Sequence, residues 1–171
     1  MGIGTDTRTR SRVIIGIGEL AVSDCPDDVI VTHALGSCVA VCVHDPVASV
    51  AAMLHFLLPD SRINPDRARE QPAAFADTGI ALLLQAARRH GLELRRATVK
   101  LVGGADTGEK GAAPSPFMTG HRNTLAARQL LWRNGVLIAA QDVGGHIART
   151  VHLSVRDGRL QIFDGVKIRE L

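Results

Sequence analysis

Cys38 and the residues before it form the part of the sequence best suited to covalent chemistry. Cys38 follows Gly36 and Ser37 directly, and an apolar segment starts at Val39. A thiolate becomes an effective nucleophile when a nearby histidine or backbone dipoles lower the pKa of the thiol. A turn at Gly36 would let the backbone N–H groups around Ser37 and Cys38 point towards one spot and hold an oxyanion. The segment therefore predicts an activated cysteine nucleophile, although the commonest fate of a free cysteine is burial as a small apolar residue.

His55 is the histidine best placed to act as the base for that thiol. It interrupts an apolar run from Val50 to Leu58, where a polar group needs a partner. The run is joined to the Cys38 segment by a short connection, so the two strands are expected to pair and to bring His55 towards Cys38. The alternative is a histidine satisfied within the core. His44 shares the strand parity of Cys38 but lies about 20 Å along an extended chain, too far to act as its base.

The remaining cysteines and histidines are weaker candidates. Cys42 lies inside the valine-rich strand and is expected in the core. Cys25 precedes Pro26 in a polar turn without a surrounding motif. The other histidines considered neighbour polar or turn residues: His33, His121 and His152.

Two rival kinds of site are disfavoured by spacing. A zinc site from Cys38, Cys42, His44 and His55 would need ligands that lie 7 Å or more apart along an extended strand, and no C-x-x-C pair is present. The segment Gly16–Ala21 matches a dinucleotide fingerprint, but that fingerprint needs a helix to follow it. The polar segment Ser23–Asp28 contains Pro26 and would break such a helix, so we expect a turn there. No metal and no cofactor are expected.

Composition limits the class of protein. A chain of 171 residues, with 46% hydrophobic residues, fits one domain with a sizeable core. No apolar run approaches the roughly 20 residues that cross a bilayer, and no signal peptide is recognisable, so a cytoplasmic protein without membrane insertion is expected. The net charge of +3 would suit an acidic protein partner. With an aromatic content of 3% and no basic run longer than a pair, nucleic acid is not expected as a partner.

The pattern of elements predicts an α+β fold with a mixed sheet. Residues 1–12 are polar and are expected to form a flexible tail before a single domain over residues 13–171. The predicted elements are listed in chain order: strands at 13–17, 29–32, 39–44 and 50–58, a solvated loop at 60–72, a helix at 73–90, a strand at 97–102, a helix at 120–133, and strands at 136–140, 151–155 and 160–163. The last two strands flank an Asp157–Gly158 pair, which is a strong hairpin signal.

An ordered set of motifs resembles the chemoreceptor glutamine deamidases, the CheD family. It consists of Val31–Val39, Asp45-Pro46 and His55–Pro59, together with Gly16–Glu19, Phe75–Thr78, Leu101–Ala105, Gly120–Asn123 and Asp142–Gly145 with Arg149. The resemblance covers about residues 13–165. It implies an αββα layered sandwich with mixed β-sheets, similar to toxin-type glutamine deamidase domains.

The resemblance also implies a Cys–His–Thr triad, which by motif position is Cys38, His55 and Thr32, with backbone support from Gly36 and Ser37. Taken alone, Thr32 would be an ordinary strand residue. The implied reaction is deamidation of glutamine side chains in chemoreceptor cytoplasmic domains, and the implied partners include a CheC-type CheY-phosphate phosphatase. Two alternatives stay open: an adaptor that binds the same partners without turnover, and a hydrolase of receptor methyl esters.

Overall fold

Alternating apolar residues build two mixed five-stranded sheets that pack face to face. The computed structural model of the protein describes residues 11–106 and 118–171. The strands are β1 Ser11–Ile15, β2 Glu19–Ser23, β3 Asp28–Leu35, β4 Val39–Asp45, β5 Val50–Phe56, β6 Thr98–Gly103, β7 Ile138–Val143, β8 Arg149–Ser154, β9 Leu160–Phe163 and β10 Ile168–Glu170. The α-helices are α1 Pro65–Glu70, α2 Ala76–Arg89 and α3 Thr119–Arg133, and 3₁₀ turns span Ser61–Ile63 and Pro72–Ala74.

The two sheets have the strand orders β1-β3-β8-β9-β10 and β2-β5-β4-β6-β7, here called the first and the second sheet. The pairs β1–β3 and β6–β7 are parallel, and the other pairs are antiparallel. The predicted α+β class with mixed sheets is thus confirmed. Of the αββα layers, residues 11–106 and 118–171 show the two sheets and the helical layer over the second sheet. In the described ranges, α2 and α3 cover the second sheet, while the strands of the first sheet alternate between buried and accessible positions.

The central strand β4 is buried on both faces, and its residue sizes differ between them. Val39, Val41 and Val43 pack with α2 and α3, whereas Ala40 and Cys42 face the first sheet. On β5, residues at even positions such as Leu54 join the helix-facing cluster, while Ala51 and Met53 join the layer between the sheets. By the period of two along a strand, His55 therefore belongs to the layer between the sheets.

The structure differs from the predicted elements at a loop, at two edge strands and at the N-terminus, and it confirms the predicted hairpin. The stretch 60–72, predicted to be irregular, contains the short helix α1, because Asn64 caps it through a bond to the Arg67 N–H and Pro65 occupies its first turn. The edge strands β2 and β10 have no counterpart in the prediction, since both are short and mostly polar or accessible. Within the predicted tail, residues 1–10 lie outside the described part, and Ser11 and Arg12 begin β1. The predicted hairpin is confirmed as β8–β9, with Gly158 at φ 68°.

Candidate active site

The three residues of the expected triad come from two strands and the connection before β4, and they meet between the sheets. Thr32 lies on β3 of the first sheet, and His55 lies on β5 of the second. Cys38 lies in the connection between β3 and β4, one residue before β4 begins. All three are buried, with exposed fractions of 0%, 1% and 5% for Thr32, His55 and Cys38. Cys38 is thus the member that solvent reaches most easily.

A chain of hydrogen bonds fixes the tautomer of His55. The Thr32 hydroxyl donates to the carbonyl oxygen of Ile15 at 2.9 Å. The same hydroxyl oxygen lies 2.8 Å from His55 Nδ1. Because the only proton of the hydroxyl goes to Ile15, Nδ1 must be the donor of the second bond, and the neutral ring then carries its lone pair on Nε2. Among the described residues no hydrogen bond reaches Nε2, so this lone pair is free to accept a proton.

The register of β4 and β5 places Cys38 diagonally across from His55. His55 pairs with Ala40, and Cys38 precedes Ala40 by two residues and packs in the same layer. Diagonal neighbours in an antiparallel pair lie roughly 7–8 Å apart between Cα atoms, within reach of a long side chain. No hydrogen bond joins the Cys38 sulfur to Nε2 in this structure. Catalytic hydrogen bonds are often long in unliganded proteins and tighten when substrate is bound.

Electrostatics keep both groups neutral in the free protein. Burial lowers the pKa of His55 to about 4, and the charge of Glu19, which pairs with His55 from β2, opposes that shift. Burial raises the pKa of the Cys38 thiol, and the backbone N–H of Cys38 itself opposes this rise. The sequence-based expectation of a lowered Cys38 pKa is therefore wrong for the free protein, because desolvation outweighs the backbone dipole. The pair is a thiol beside a neutral base, not a preformed ion pair.

This electrostatic arrangement predicts the order in which the three thiols react. Cys25 is exposed, whereas Cys38 and Cys42 are buried and burial raises the pKa of Cys42 to about 12. At neutral pH we expect iodoacetamide to modify Cys25 first, Cys38 slowly and Cys42 last. Peptide mass mapping of timed samples measures the order, with the urea-unfolded protein as a control in which the three rates converge. A Cys38 that reacts faster than Cys25 in the folded protein would show that its thiol is ionised before substrate binds.

The turn that carries Cys38 is held by several backbone contacts. Ala34 has a φ of 56°, in the left-handed region, and the pairing of β3 with β8 slips between Thr32 and Leu35. This irregularity ends β3 and turns the chain towards the second sheet. The carbonyl of Gly36 then accepts from the Ala105 N–H at 2.8 Å, and the carbonyl of Cys38 accepts from Gly104 at 2.7 Å.

Gly103 is required by the same close approach. Its φ is 116°, and a Cβ at this position would overlap the carbonyl oxygen of Cys38. The pair Gly103-Gly104 therefore lets the end of β6 lie against the backbone of residues 36–38, here called the nucleophile turn. A glycine pair that looked like a simple strand end in the sequence is part of the support for Cys38.

The backbone N–H groups around Ser37 and Cys38 are the expected oxyanion donors. In the described ranges, the N–H groups of Ser37 and Cys38 take part in no hydrogen bond to another residue. A groove of about 620 Å³ begins at Ser37 and continues between Gly104, the start of α3 at Gly120 and His121, and Gly144. Neither Cys38 nor His55 lines this groove. The groove adjoins these two residues, here called the reactive pair, at the nucleophile turn.

The other sequence candidates are placed away from the reactive pair or in supporting roles. His44 is buried on β4, where its Nε2 lies 3.0 Å from the carbonyl oxygen of Val155 in another part of the core. Gly16 and Gly18 form the expected turn, with the Glu19 N–H bonded to the Gly16 carbonyl. That turn lies beside the site, because the Gly18 N–H donates to the His55 carbonyl at 2.7 Å. Across residues 11–106 and 118–171, no cluster of three or more His, Cys, Asp or Glu side chains could hold a metal ion.

Sequence reasoning from single motifs missed two residues of the site. Glu19 adjoins His55 by strand pairing, and Asn123, on α3, reaches the nucleophile turn. Both occur in the motif set quoted for the family resemblance, which was the only signal that could have found them.

No helix in the described part of the chain has the length and apolarity needed to cross a bilayer.

Comparison with known proteins gives consistent matches. The model of the family described as CheD chemotactic sensory transduction matches residues 57–163. A protein of Solibacter usitatus named "Probable chemoreceptor glutamine deamidase CheD" is 41% identical over 160 residues, which are 94% of this chain and 93% of that protein. "Probable chemoreceptor glutamine deamidase CheD 2" of Anaeromyxobacter dehalogenans is 42% identical, with 94% and 99% of the two chains covered. "Chemoreceptor glutamine deamidase CheD" of Thermotoga maritima is 40% identical, with 87% and 89% covered. The family model match begins after His55, and the matches to whole relatives also span the segment of Cys38 and His55.

Proposed function

The chain belongs to the CheD family of chemotactic sensory transduction proteins, and on that premise we propose that it deamidates glutamine side chains of chemoreceptors. The observation that carries the proposal is the buried chain of hydrogen bonds that joins the Ile15 carbonyl, the Thr32 hydroxyl and His55 Nδ1. This chain leaves His55 Nε2 as a free base in the layer that also holds Cys38. The receptor as substrate comes from the names of the relatives. The glutamine side chain also comes from those names, and the buried cysteine and histidine support nucleophilic attack on it.

The reaction starts from the neutral pair. A substrate glutamine binds at the turn, the Cys38 sulfur attacks the side-chain amide carbon, and the thiol proton moves to His55 Nε2. The new oxyanion lies against the N–H groups around Ser37 and Cys38. His55 then gives its proton to the amide nitrogen, the carbon–nitrogen bond breaks, and ammonia leaves a thioester on Cys38.

The second half of the reaction reverses these roles. Nε2 takes a proton from water, the resulting hydroxide attacks the thioester carbon, and the carbon–sulfur bond breaks. The proton on Nε2 returns to the sulfur, so one water has been consumed and the products are glutamate and ammonia. Thr32 takes part in no bond change. It accepts from Nδ1 and thereby keeps the lone pair on Nε2 throughout.

The experiment that tests this function measures both products. A cytoplasmic receptor fragment from the same organism is incubated with the protein, and peptide masses are searched for the small increase that conversion of an amide to an acid produces. Released ammonia is measured in parallel. Methanol in place of ammonia would mark hydrolysis of receptor methyl esters, and receptor binding without either product would mark an adaptor. A net charge of +3 suits an acidic receptor surface.

The cellular setting follows from the proposed substrate. A protein that acts on the cytoplasmic parts of receptors works in the cytoplasm, without membrane insertion of its own. A CheC-type phosphatase as a second partner stays a prediction from the family resemblance. Co-purification of the two proteins, with and without competing receptor fragment, would test it.

Thr32 provides a prediction about the tautomer. In Thr32→Val the Nδ1–H loses its acceptor, so no hydrogen bond favours the tautomer that has its lone pair on Nε2. We expect the deamidation rate to fall by about a hundredfold, a loss within the range that general base catalysis contributes. The unpaired Nδ1–H and Ile15 carbonyl should also reduce the free energy of unfolding by about 1–3 kcal/mol.

The matched control for this prediction is Thr32→Ser, which keeps the hydroxyl and removes only a methyl group. It should retain most of the rate. Steady-state ammonia release and urea unfolding of both variants measure the two effects. Equal rates for the valine and serine variants would show that the hydroxyl does not orient His55.

A further inference from the structure

Asn123 joins the turn of Cys38 to the strand of His55. It lies on α3 and is completely buried. Its side-chain nitrogen donates to the carbonyl oxygen of Ser37 at 2.9 Å and to that of Leu57 at 2.8 Å. Ser37 immediately precedes the nucleophile, and Leu57 follows His55 by two residues. One amide group from the helical layer thus contacts both segments that carry the reactive pair.

The orientation of this amide is determined by its partners. Both neighbours are carbonyl oxygens, so the group between them must be the NH₂ and not the oxygen. The side-chain oxygen is buried and has no hydrogen-bond partner in the described part of the chain. An unpaired buried acceptor carries a desolvation cost that an apolar residue at this position would avoid. The two donated bonds therefore call for an explanation other than packing.

The geometry of the peptide unit supplies that explanation. The Ser37 carbonyl and the Cys38 N–H belong to one planar trans peptide, in which the two groups point in opposite directions. When Asn123 holds the carbonyl towards α3, the Cys38 N–H must point away from α3. The bond from Ala105 to the Gly36 carbonyl fixes the preceding peptide, and with it the Ser37 N–H, in the same way.

The direction of the Cys38 N–H is consistent with a role in the reaction. This N–H approaches the sulfur of its own residue, where it favours the thiolate. An oxyanion that forms on a carbon bonded to that sulfur lies next to the same N–H group. The Leu57 bond adds a second constraint, since it holds the end of the His55 strand at a fixed place relative to the turn.

We propose that Asn123 is a positioning residue that orients the Ser37–Cys38 peptide so that its N–H stabilises the oxyanion. This inference rests on the proposed deamidation. Asn123 itself touches neither substrate nor the reacting atoms. Its effect is transmitted through the Ser37 carbonyl.

The test compares two substitutions at Asn123 with two controls, one on the same helix and one at the residue that ends it. Asn123→Ala removes both donated bonds, and Asn123→Leu removes them while it keeps side-chain volume, which preserves the fold if the alanine variant does not fold. Leu131→Ala is the control for loss of packing, because Leu131 is also fully buried on α3. Asn134→Ala is the control for loss of an asparagine side chain, because its amide donates only within the end of α3.

We expect kcat for receptor deamidation to fall about a hundredfold in both Asn123 variants, similar to the loss of one oxyanion donor, with KM unchanged. Alkylation of Cys38 by iodoacetamide forms no oxyanion and depends on the N–H only through the pKa of the thiol, so its rate should fall far less than kcat, by no more than about threefold. The amide resonance of Cys38 in a ¹⁵N–¹H NMR spectrum should move in the Asn123 variants and stay in place in Asn134→Ala. Leu131→Ala should lose stability and keep its kcat.

Each outcome decides the question. A large loss of kcat with alkylation lowered by no more than about threefold supports the inference. Unchanged kcat, or a parallel loss of kcat and alkylation, overturns it, because the residue would then have no effect on the reaction or would only maintain the structure of the turn. If the unmodified protein itself deamidates no receptor fragment, the proposed function fails and this inference fails with it. Turnover by the unmodified protein and equal turnover by Asn123→Leu contradict the inference alone.

Discussion

Substitution of Cys38 by alanine is expected to lower the rate of receptor deamidation at least about a thousandfold, since the Cys38 sulfur forms the covalent intermediate of the proposed mechanism. The substitution removes a sulfur that is 5% exposed and that lies in the layer between the sheets. Alanine leaves the backbone of the turn unchanged, including the bonds to Gly104 and Asn123, which involve main-chain carbonyls. The variant should therefore bind receptor as well as the unmodified protein does. Peptide masses of the receptor fragment and released ammonia measure the loss.

Cys42 provides the matched control for this experiment. It is a buried thiol in the same layer, four residues further along, and its pKa is raised to about 12. Cys42→Ala removes the same atom from the same kind of environment, so it should cost some stability and leave the rate intact. If Cys38→Ala and the unmodified protein convert the same glutamines at the same rate, the cysteine mechanism is wrong. If Cys42→Ala also abolishes turnover, the loss reflects packing and not chemistry.

The neutral state of the pair distinguishes this site from one that stores a thiolate. Burial lowers the pKa of His55 and raises that of Cys38, so both shifts oppose proton transfer in the free protein. In the proposed reaction the proton therefore moves when the substrate carbon is in place and the new oxyanion is stabilised by the backbone. We therefore expect the Cys38 thiol to react slowly with other electrophiles until a substrate glutamine side chain is bound.

Local patterns in the sequence were sufficient to predict most of the fold. The alternation over residues 39–44 predicted β4, and the Asp157–Gly158 pair predicted the β8–β9 hairpin, because both signals come from adjacent residues. The helix α1 and the edge strands β2 and β10 were not predicted. Their formation depends on a cap at Asn64 and on pairing with distant strands, neither of which a local apolar pattern reports.

In the candidate site, too, the residues marked by local patterns were predicted and those placed by contacts between distant segments were not. Cys38 and His55 could be selected by residue type and by the short connection between their strands. The contact between Thr32 and His55 joins two different sheets, so only the family resemblance pointed to it. The pKa of Cys38 was predicted in the wrong direction, because burial at this position depends on how the two sheets pack. Asn123 reaches the site from α3, a relation that no spacing in the sequence expresses.

His55→Asn is expected to lower the rate by at least about a thousandfold and to make the protein less sensitive to acid. The amide nitrogen of asparagine can take the place of Nδ1 and keep the bond to Thr32, but nothing then replaces Nε2. The variant therefore tests the base alone, with the contact to the first sheet preserved. In the unmodified protein, the acid limb of kcat/KM should fall near pH 4, because His55 must be neutral to accept the thiol proton.

The acid sensitivity follows from the same histidine. Its folded-state pKa of about 4 is below the ordinary value of 6.5, so the unfolded chain binds the extra proton first as pH falls. Stability is therefore complete above pH 6.5 and decreases between pH 6.5 and 4, by about 3 kcal/mol at the lower end. His55→Asn has no such group, so its free energy of unfolding should change less over this window than that of the unmodified protein. Urea unfolding at several pH values between 4 and 7 measures the difference.

His44→Asn separates the two effects of His55→Asn. His44 is also buried, on the adjacent strand, but it bonds the Val155 carbonyl far from the reactive pair. This variant should lose stability without a loss of kcat, since it leaves the site intact. Parallel losses of rate in the two histidine variants would mean that any damage to the layer between the sheets stops turnover, and the assignment of His55 as the base would then fail. A normal rate in His55→Asn would contradict it directly, because the free Nε2 is the feature of this structure on which every proton transfer in the mechanism depends.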